Sequence, residues 1–253
     1  MLENKLVRED ETLDDLQLKE ICVIQKKSGF RFGVDAVLLA NFAKAKKKDC
    51  IVDLCSGTGI IPFIIAGKNE IDHITGIEIQ SDMVEMSNRS VLYNNLQDKI
   101  NFIHGDLKNE ELLKAIEKVD VVTVNPPYKL QNSGIINENN KNAIARHEIC
   151  CTLDDVIKAS SILLKDNGKL FMIHRPERIA DVLCTMRKYK IEPKLIRMVQ
   201  PNINKVPNLL LIEGQKNGGK FLKWQNTLYV YDENGKYTEE INIQRSKTMK
   251  FTV

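Results

Sequence analysis

The tetrapeptide Asn125–Pro126–Pro127–Tyr128 combines groups that could hold and orient an amine. Two consecutive prolines fix the backbone and remove two N–H donors, which leaves carbonyl oxygens as pure acceptors. If the Asn125 side-chain oxygen and the Pro126 carbonyl accept both hydrogens of a delocalised exocyclic amine, its lone pair can aim at an electrophilic carbon without a catalytic base. Such orientation contributes roughly 7–11 kcal/mol. We therefore predict Asn125, Pro126, Pro127 and Tyr128 as catalytic residues, with Tyr128 offering a flat face to a substrate ring.

Three acids at successive strand ends form a second set of acceptors. Asp53 opens a glycine turn that runs to Gly59, Glu78 ends the next strand, and Asp106 follows the third. Ligands of open parallel sheets bind beyond the carboxyl ends of the strands. There Glu78 could accept both ribose hydroxyl hydrogens and Asp106 an adenine amino hydrogen, although each acid alone could equally be a solvated strand-end residue. Ile60 follows Gly59 where the GxGxxG fingerprint continues towards a third glycine, which disfavours a pyrophosphate cradle.

The elements that must position these groups follow from an alternation of apolar strands and helical segments, which predicts βαβ units and a parallel sheet. The strands are predicted at Cys50–Leu54, Ile74–Ile79, Ile100–His104, Val119–Val124, Lys169–His174, Ile191–Gln200 and Asn208–Gly214. Residues 16–43 form a lead-in with a hairpin-like start and a helix over Val34–Ala43, and residues 227–241 suggest a terminal hairpin. The sequence thus predicts one α/β domain with short additions at both ends.

Composition excludes several classes of protein. The chain has 253 residues, of which 43% are hydrophobic and 28% charged, as in globular domains. Its six cysteines show neither a CxxC pair nor histidines at zinc-finger spacing, so we expect no disulfide framework and no metal. The first residues are acidic, unlike a signal peptide, and the longest apolar run, Gly59–Gly67, is about half of a bilayer span. We expect a soluble, cytoplasmic protein without membrane contact.

Charge is distributed unevenly along the chain. The formal net charge is +3, yet residues 165–253 hold 17 Lys and Arg against nine Asp and Glu. An anionic partner near the carboxyl-terminal third is one interpretation, and an ordinary solvated basic face is the other. If this third contacts phosphates, RNA affinity should fall steeply with salt through counterion release.

The three acids Asp53, Glu78 and Asp106 are called the acid ladder below. Together with the glycine turn and the NPPY sequence, they resemble the site of the class I S-adenosylmethionine-dependent amino-methyltransferases, which methylate adenine N6, cytosine N4 or a glutamine side-chain amide. The resemblance implies S-adenosyl-L-methionine as cofactor and a Rossmann-like, mostly parallel seven-stranded sheet with helices on both faces. It assigns Asp53 to the methionine end, Glu78 to the ribose and Asp106 to the adenine. The cofactor-binding residues so implied are Phe30, Arg31, Asp35, Asp53, Ser56, Gly57, Thr58, Gly59, Glu78, Ile79, Asp106, Leu107 and Asn125.

Further segments narrow the resemblance. Four segments are similar to the bacterial tRNA(Val) adenine-N6 methyltransferase family, which modifies the adenine beside the anticodon. They are Gln25–Ala40, the NPPYKL sequence that begins at Asn125, Ala145–Glu148 (ARHE) and His174–Arg178 (HRPER). This likeness implies N6-methyladenosine as product and a tRNA anticodon loop as partner. The same apparatus could methylate rRNA or DNA adenine-N6 or protein glutamine-N5, and a non-enzymatic RNA-binding module remains an alternative.

The resemblance also suggests a division of the chain. Residues 1–45 would be a lead-in closing over the cofactor, 46–215 the methyltransferase domain, and 216–253 a carboxyl-terminal β-hairpin extension of the same domain. Phe30, Arg31 and Asp35 of the lead-in would pack over the methionine moiety. A helix cap at Asp35 and core packing by Phe30 are the alternatives at two of these positions.

Overall fold

The computed structural model of the protein describes residues 6–28, 33–127 and 151–246. Within them, strands β1 to β10 span Glu11–Asp15, Cys22–Lys26, Cys50–Leu54, His73–Glu78, Ile100–His104, Val119–Val124, Leu164–His174, Ile191–Gln200, Leu209–Lys216 and Lys223–Tyr229. Helices α1 to α7 span Val34–Phe42, Ile60–Lys68, Ser81–Tyr93, Glu110–Ala115, Leu153–Leu163, Ile179–Lys188 and Glu239–Ser246.

One mostly parallel sheet organises these elements. Its strand order is β5–β4–β3–β6–β7–β9–β8–β10. Of these eight strands, only β9 is antiparallel to the other strands. The chain therefore returns to the same edge at the carboxyl ends of β3, β4, β5 and β6. The α/β fold predicted from the alternation of strands and helices is confirmed.

Two layers of helices cover the sheet. Helices α1, α2 and α3 contribute to the apolar cluster on one face, and α4, α5 and α6 to the cluster on the other. The central strand β6 supplies both clusters, with Val121 on the first face and Val122 on the second. A strand buried on both faces must be apolar almost throughout, which is why this segment is β-branched at every position except Asp120.

Strands β1 and β2 form a separate antiparallel pair that packs against α3. The Glu11 side chain is fully buried, and Arg89 of α3 donates to both of its oxygens at 2.6 and 2.7 Å. The Ile24 amide of β2 also donates to the Ser90 hydroxyl of α3 at 2.9 Å. Because an unpaired buried carboxylate costs several kcal/mol, Arg89 fixes the lead-in to the main domain.

The carboxyl-terminal segment differs from the predicted hairpin, and the sheet has eight strands rather than seven. Strand β10 pairs in parallel with β8, a single antiparallel bridge joins Tyr231 to Tyr237, and the chain then enters α7. This arrangement buries Leu228 and Ile241 in the cluster beneath α1 and α2. An isolated two-stranded hairpin would have left these apolar side chains in water.

Candidate active site

The turn after β3, called here the bend (Cys55–Gly59), reverses the chain sharply into α2. Cys55, Gly57 and Gly59 have φ angles of +56°, +53° and +79°. A Cβ atom at Gly59 would lie 2.3 Å from the Phe102 ring, so glycine is required there for space as well as for conformation. At Gly57 no atom lies within 4 Å of where a Cβ would be, so the bend borders open space.

Glu78, at the end of β4, holds the bend in place. Its Oε2 atom accepts a hydrogen bond from the Gly57 amide at 2.9 Å, and Oε1 accepts from the Gln80 amide at 3.0 Å. The residue is only 5% exposed. A carboxylate has about four lone-pair directions, so Glu78 keeps acceptor capacity for ligand hydroxyls while it holds the bend.

Asp53 lies beneath the bend and is fully buried. Its two oxygens accept hydrogen bonds from the Ser56 hydroxyl at 2.8 Å and from the Thr123 hydroxyl of β6 at 2.5 Å. Burial raises the pKa of Asp53 to about 7, although the two hydroxyl hydrogen bonds oppose that rise. Asp53 therefore links β3 to β6 within the protein and titrates near neutral pH.

The end of β5 forms the outer part of the same edge. The Gly105 amide donates to the Glu78 carbonyl at 2.9 Å, and the His104 Nε2 atom lies 3.0 Å from the Ile79 carbonyl oxygen. Asp106 accepts from the Lys108 amide at 2.9 Å, and its side chain is 36% exposed. Asp106 is thus more exposed to solvent than Asp53 and Glu78.

Apolar groups accompany these acids. Ile79, directly after Glu78, is 37% exposed, which makes it one of the few large apolar side chains of the described residues that face water. Leu107 and Thr58 are buried. Exposed Ile79 gives the edge an apolar surface beside a buried carboxylate, a combination suited to a ligand with one flat apolar part and one hydroxylated part.

The Asn125–Pro127 segment follows β6, the strand next to β3. Leu54 is paired with Val124, so Asn125 leaves its strand beside the start of the bend. Pro126 is buried, whereas Asn125 and Pro127 are partly exposed. The strand ends that carry Asp106, Glu78, the bend and Asn125 follow one another across about 14 Å, since neighbouring strands lie about 4.8 Å apart.

The remaining predicted site residues have different positions. Asp35 lies half-buried in the first turn of α1, where its carboxylate folds back over Gly33. The N-cap residue of α1 is Gly33, so the alternative of a helix cap at Asp35 is wrong, and Asp35 is an acid within the first turn. Phe30, Arg31 and Tyr128 lie outside the described residues.

Several supporting side chains were missed by the sequence interpretation. The Ser87 hydroxyl of α3 donates to the Gly57 carbonyl at 3.1 Å, and Thr123 supports Asp53 from β6. Cys151, just before α5, places its sulfur 4.0 Å from that of Cys55, and this contact together with burial raises the pKa of the Cys55 thiol. For Thr123 a signal was present, because it is the single hydroxyl among the four residues Val121–Val124.

Metal-binding clusters and membrane-spanning helices are both absent from the described residues. In residues 6–28, 33–127 and 151–246, no three His, Cys, Asp or Glu side chains converge as a metal site would require. None of the helices in these same ranges has the length and apolarity needed to cross a bilayer.

The strand order and the antiparallel β9 are those of the class I methyltransferase fold. Solved structures of that fold include a predicted O-methyltransferase from Agrobacterium tumefaciens, with a TM-score of 0.68, 18% identity, and 85% of this chain and 98% of that chain covered. A second is geranyl diphosphate C-methyltransferase from Streptomyces coelicolor bound to S-adenosyl-L-homocysteine, with a TM-score of 0.53, 12% identity, and 72% and 78% covered.

The methyltransferase small domain model matches residues 33–188, and the chain belongs to that family. Similar proteins named tRNA1(Val) (adenine(37)-N6)-methyltransferase occur in Porphyromonas gingivalis strain W83, 25% identical over 90% of this chain and 91% of that protein, and in Flavobacterium johnsoniae, 25% identical over 73% and 77%. The cofactor of a class I methyltransferase with this fold is S-adenosyl-L-methionine. The acid ladder and the open space at Gly57 fit that molecule.

Proposed function

We propose that the protein transfers a methyl group from S-adenosyl-L-methionine to the exocyclic N6 of adenine 37 in tRNA(Val), the adenine next to the anticodon. The observation that carries the proposal is the register of β3 and β6, which sets the acceptors of Asn125–Pro127 beside the bend. The relative from Porphyromonas gingivalis, named for this reaction, is similar over 90% of the chain.

On the cofactor side, the order of residues across the sheet supports the proposed roles. Asp106, Glu78 and the bend would face the adenine, the ribose and the methionine part in turn. Glu78 would accept ribose hydroxyl hydrogens with its remaining lone pairs. Exposed Ile79 would cover one face of the adenine and exclude water from it. S-adenosyl-L-methionine supplies an electrophilic methyl group on a cationic sulfur.

On the acceptor side, Asn125 and Pro126 would orient the amine. The Asn125 side-chain oxygen and the Pro126 carbonyl accept its two hydrogens and turn the nitrogen lone pair out of the purine ring. Pro126 and Pro127 have no N–H groups that could compete for these acceptors. Orientation by acceptors therefore replaces a general base during the transfer. The nitrogen gains the methyl group as the sulfur–carbon bond breaks, and the acidic methylated nitrogen then loses one proton to solvent. Tyr128 would stack on the extruded adenine, a contact worth roughly 1–3 kcal/mol.

The test uses purified protein, labelled S-adenosyl-L-methionine and unmodified tRNA(Val) transcript. Chromatography of the digested nucleosides should show labelled N6-methyladenosine, and a matched transcript with guanine at position 37 should take up no label. Transfer to the guanine transcript, or none to either, would overturn the proposed substrate. If neither transcript is methylated, parallel assays with rRNA, duplex DNA and release-factor protein would identify an rRNA, DNA or glutamine methyltransferase.

A further inference from the structure

The outer edge of the sheet exposes two aromatic rings between lysines. Phe221 is 85% exposed and Trp224 is 62% exposed, and they alternate with exposed Lys220 and Lys223 at the start of β10. Lys194 of β8 lies next to these four residues, because its Nζ atom donates a hydrogen bond to the carbonyl of Gly219, which directly precedes Lys220. These five residues are called the edge patch below. Single exposed apolar residues are common on protein surfaces, whereas two exposed aromatic rings within four positions form a patch of the kind that marks an interaction site.

The edge patch is strongly positive. No acidic residue occurs between Glu213 and Asp232, while that stretch contains Lys216, Lys220 and Lys223. Within the described part of the chain, no carboxylate forms an ion pair with Lys220 or Lys223, in contrast to Lys169, which binds Glu213 at 2.6 Å. Lysines without a carboxylate partner, set beside aromatic rings, match the two features of a single RNA strand, a charged backbone and stackable bases.

Neither protection of the sheet edge nor self-association accounts for the whole patch. Lysines on an edge strand discourage pairing with other chains, but a strand protected in that way has no use for exposed Phe221 and Trp224. Pairing of β10 with β10 of a second copy would bring together two segments, residues 214–231 of each copy, that contain lysines and no acidic residue. Like charges facing each other across strands are destabilising, so charge favours a polyanion over a second copy.

We infer that the edge patch binds unpaired nucleotides of the RNA substrate, with Phe221 and Trp224 stacking on bases and the lysines contacting phosphates. This inference rests on the proposed tRNA substrate. Strand β10 lies four positions from β6 in the sheet, about 19 Å away, and it runs towards the edge that carries Asn125. One RNA molecule can therefore reach both places.

Binding of fluorescein-labelled tRNA(Val) transcript, measured by anisotropy with the full chain, tests the inference. The variants Phe221→Ala/Trp224→Ala and Lys220→Ala/Lys223→Ala should each weaken binding about tenfold, and the lysine variant should lower the salt slope by about two. The control Leu92→Ala/Lys99→Ala, which removes an exposed apolar residue and an exposed lysine near the opposite sheet edge, should change the dissociation constant less than twofold. Unchanged binding by both patch variants would overturn the inference.

Trp224 gives a second measurement that needs no variant, because it is the only tryptophan in the chain. Saturating tRNA should quench its fluorescence and protect it from acrylamide, and unaltered fluorescence would overturn the inference. Methyl transfer measured in the same samples separates the two proposals. Quenching without methyl transfer would contradict the proposed substrate and support RNA binding by the edge patch. Methyl transfer without quenching would support the proposed substrate and contradict RNA binding by the edge patch.

Discussion

At the ends of β3 and β4, carboxylates turn inward onto the protein, whereas the end of β6 combines an amide side chain with two prolines that donate no backbone hydrogen bonds. The first region, called the bend side, consists of Asp53, the bend and Glu78. The second, the β6 side, consists of Asn125–Pro127. On the bend side Asp53 accepts two hydrogen bonds from the protein and Glu78 accepts three.

This difference separates the expected consequences of mutation. If Glu78 and the bend bind the methyl donor as proposed, a change on the bend side should disturb both the fold of the loop and donor binding, because the same atoms would serve both. In the proposed mechanism, a change at Asn125 removes an acceptor for the amine hydrogens. We therefore expect the bend side to control donor affinity and stability, and the β6 side to control turnover.

Asn125→Ala should produce the largest effect. Loss of one preorganised polar group at the reacting atom lowers turnover by about 10²–10³-fold. Donor affinity, measured by calorimetry, should stay within about twofold, and initial rates with labelled donor give kcat. Asn125→Asp keeps an oxygen acceptor and should retain most of the turnover. A non-catalytic RNA-binding module would show no turnover that the substitution could reduce.

Glu78→Gln should have the next largest effect. One of its oxygens becomes an NH₂ group that faces the Gly57 or the Gln80 amide, and hydrogen bonds to charged groups are worth about 1.5–3 kcal/mol. Donor affinity should fall about ten- to a hundredfold by calorimetry, and urea unfolding should show a loss of about 1–3 kcal/mol. Turnover at saturating donor should change little. Exposed Glu233→Gln is the matched control, and a kcat loss like that of Asn125→Ala would contradict the division of roles.

The pH dependence of stability should reveal Asp53. Its pKa is raised from 3.8 to about 7 by burial, so between these values the folded state holds a proton that the unfolded chain has released. Stability therefore decreases as pH rises through this window, and the loss is complete above it. Asp53→Asn does not ionise, so its melting temperature relative to wild type should rise by a few degrees between pH 5 and pH 8, about 2–4 °C for each kcal/mol. Parallel melting curves for the two proteins would show that Asp53 does not titrate in this range.

Asp106→Asn should have the smallest effect. The side chain is 36% exposed, and an amide oxygen can still accept from the Lys108 backbone. We expect donor affinity to fall less than about fivefold, because solvent screens an exposed group, and the melting temperature to remain unchanged. Calorimetry beside Glu78→Gln makes the comparison direct. A loss as large as that of Glu78→Gln would place Asp106 with the bend side.

Strands buried on both faces were readily predicted from the sequence. The observed bounds of β3, β5, β6 and β8 equal the predicted ones. For β3 and β6 the reason is a nearly continuous apolar run that ends at a turn. Strand β7 begins at Leu164 rather than Lys169, since Lys165–Gly168 are polar residues that join the strand through an irregular register with β6. Strand β10 was only partly predicted, because the expected hairpin began at residue 227, and the residues from Lys223 to Asn226 are all exposed and show no alternation.

In the candidate site, the positions of acids at strand ends followed from the sequence, whereas their partners did not. Thr123 contacts Asp53 from 70 positions away, and Ser87 contacts Gly57 from 30 positions away. Such pairings depend on which strands become neighbours, and local patterns do not encode that. The cofactor roles of the acids and the division into three segments remain predictions.

The placement of β10 has a consequence for the order in which the sheet assembles. The connection 217–222 carries the chain from the end of β9 past β8, so β10 is placed outside β8 at the edge of the sheet. Its outer side has no neighbouring strand among the described residues. Amide hydrogens of β10 should therefore exchange with solvent sooner than those of β3 or β6, and this edge should be the last part of the sheet to form and the first to open.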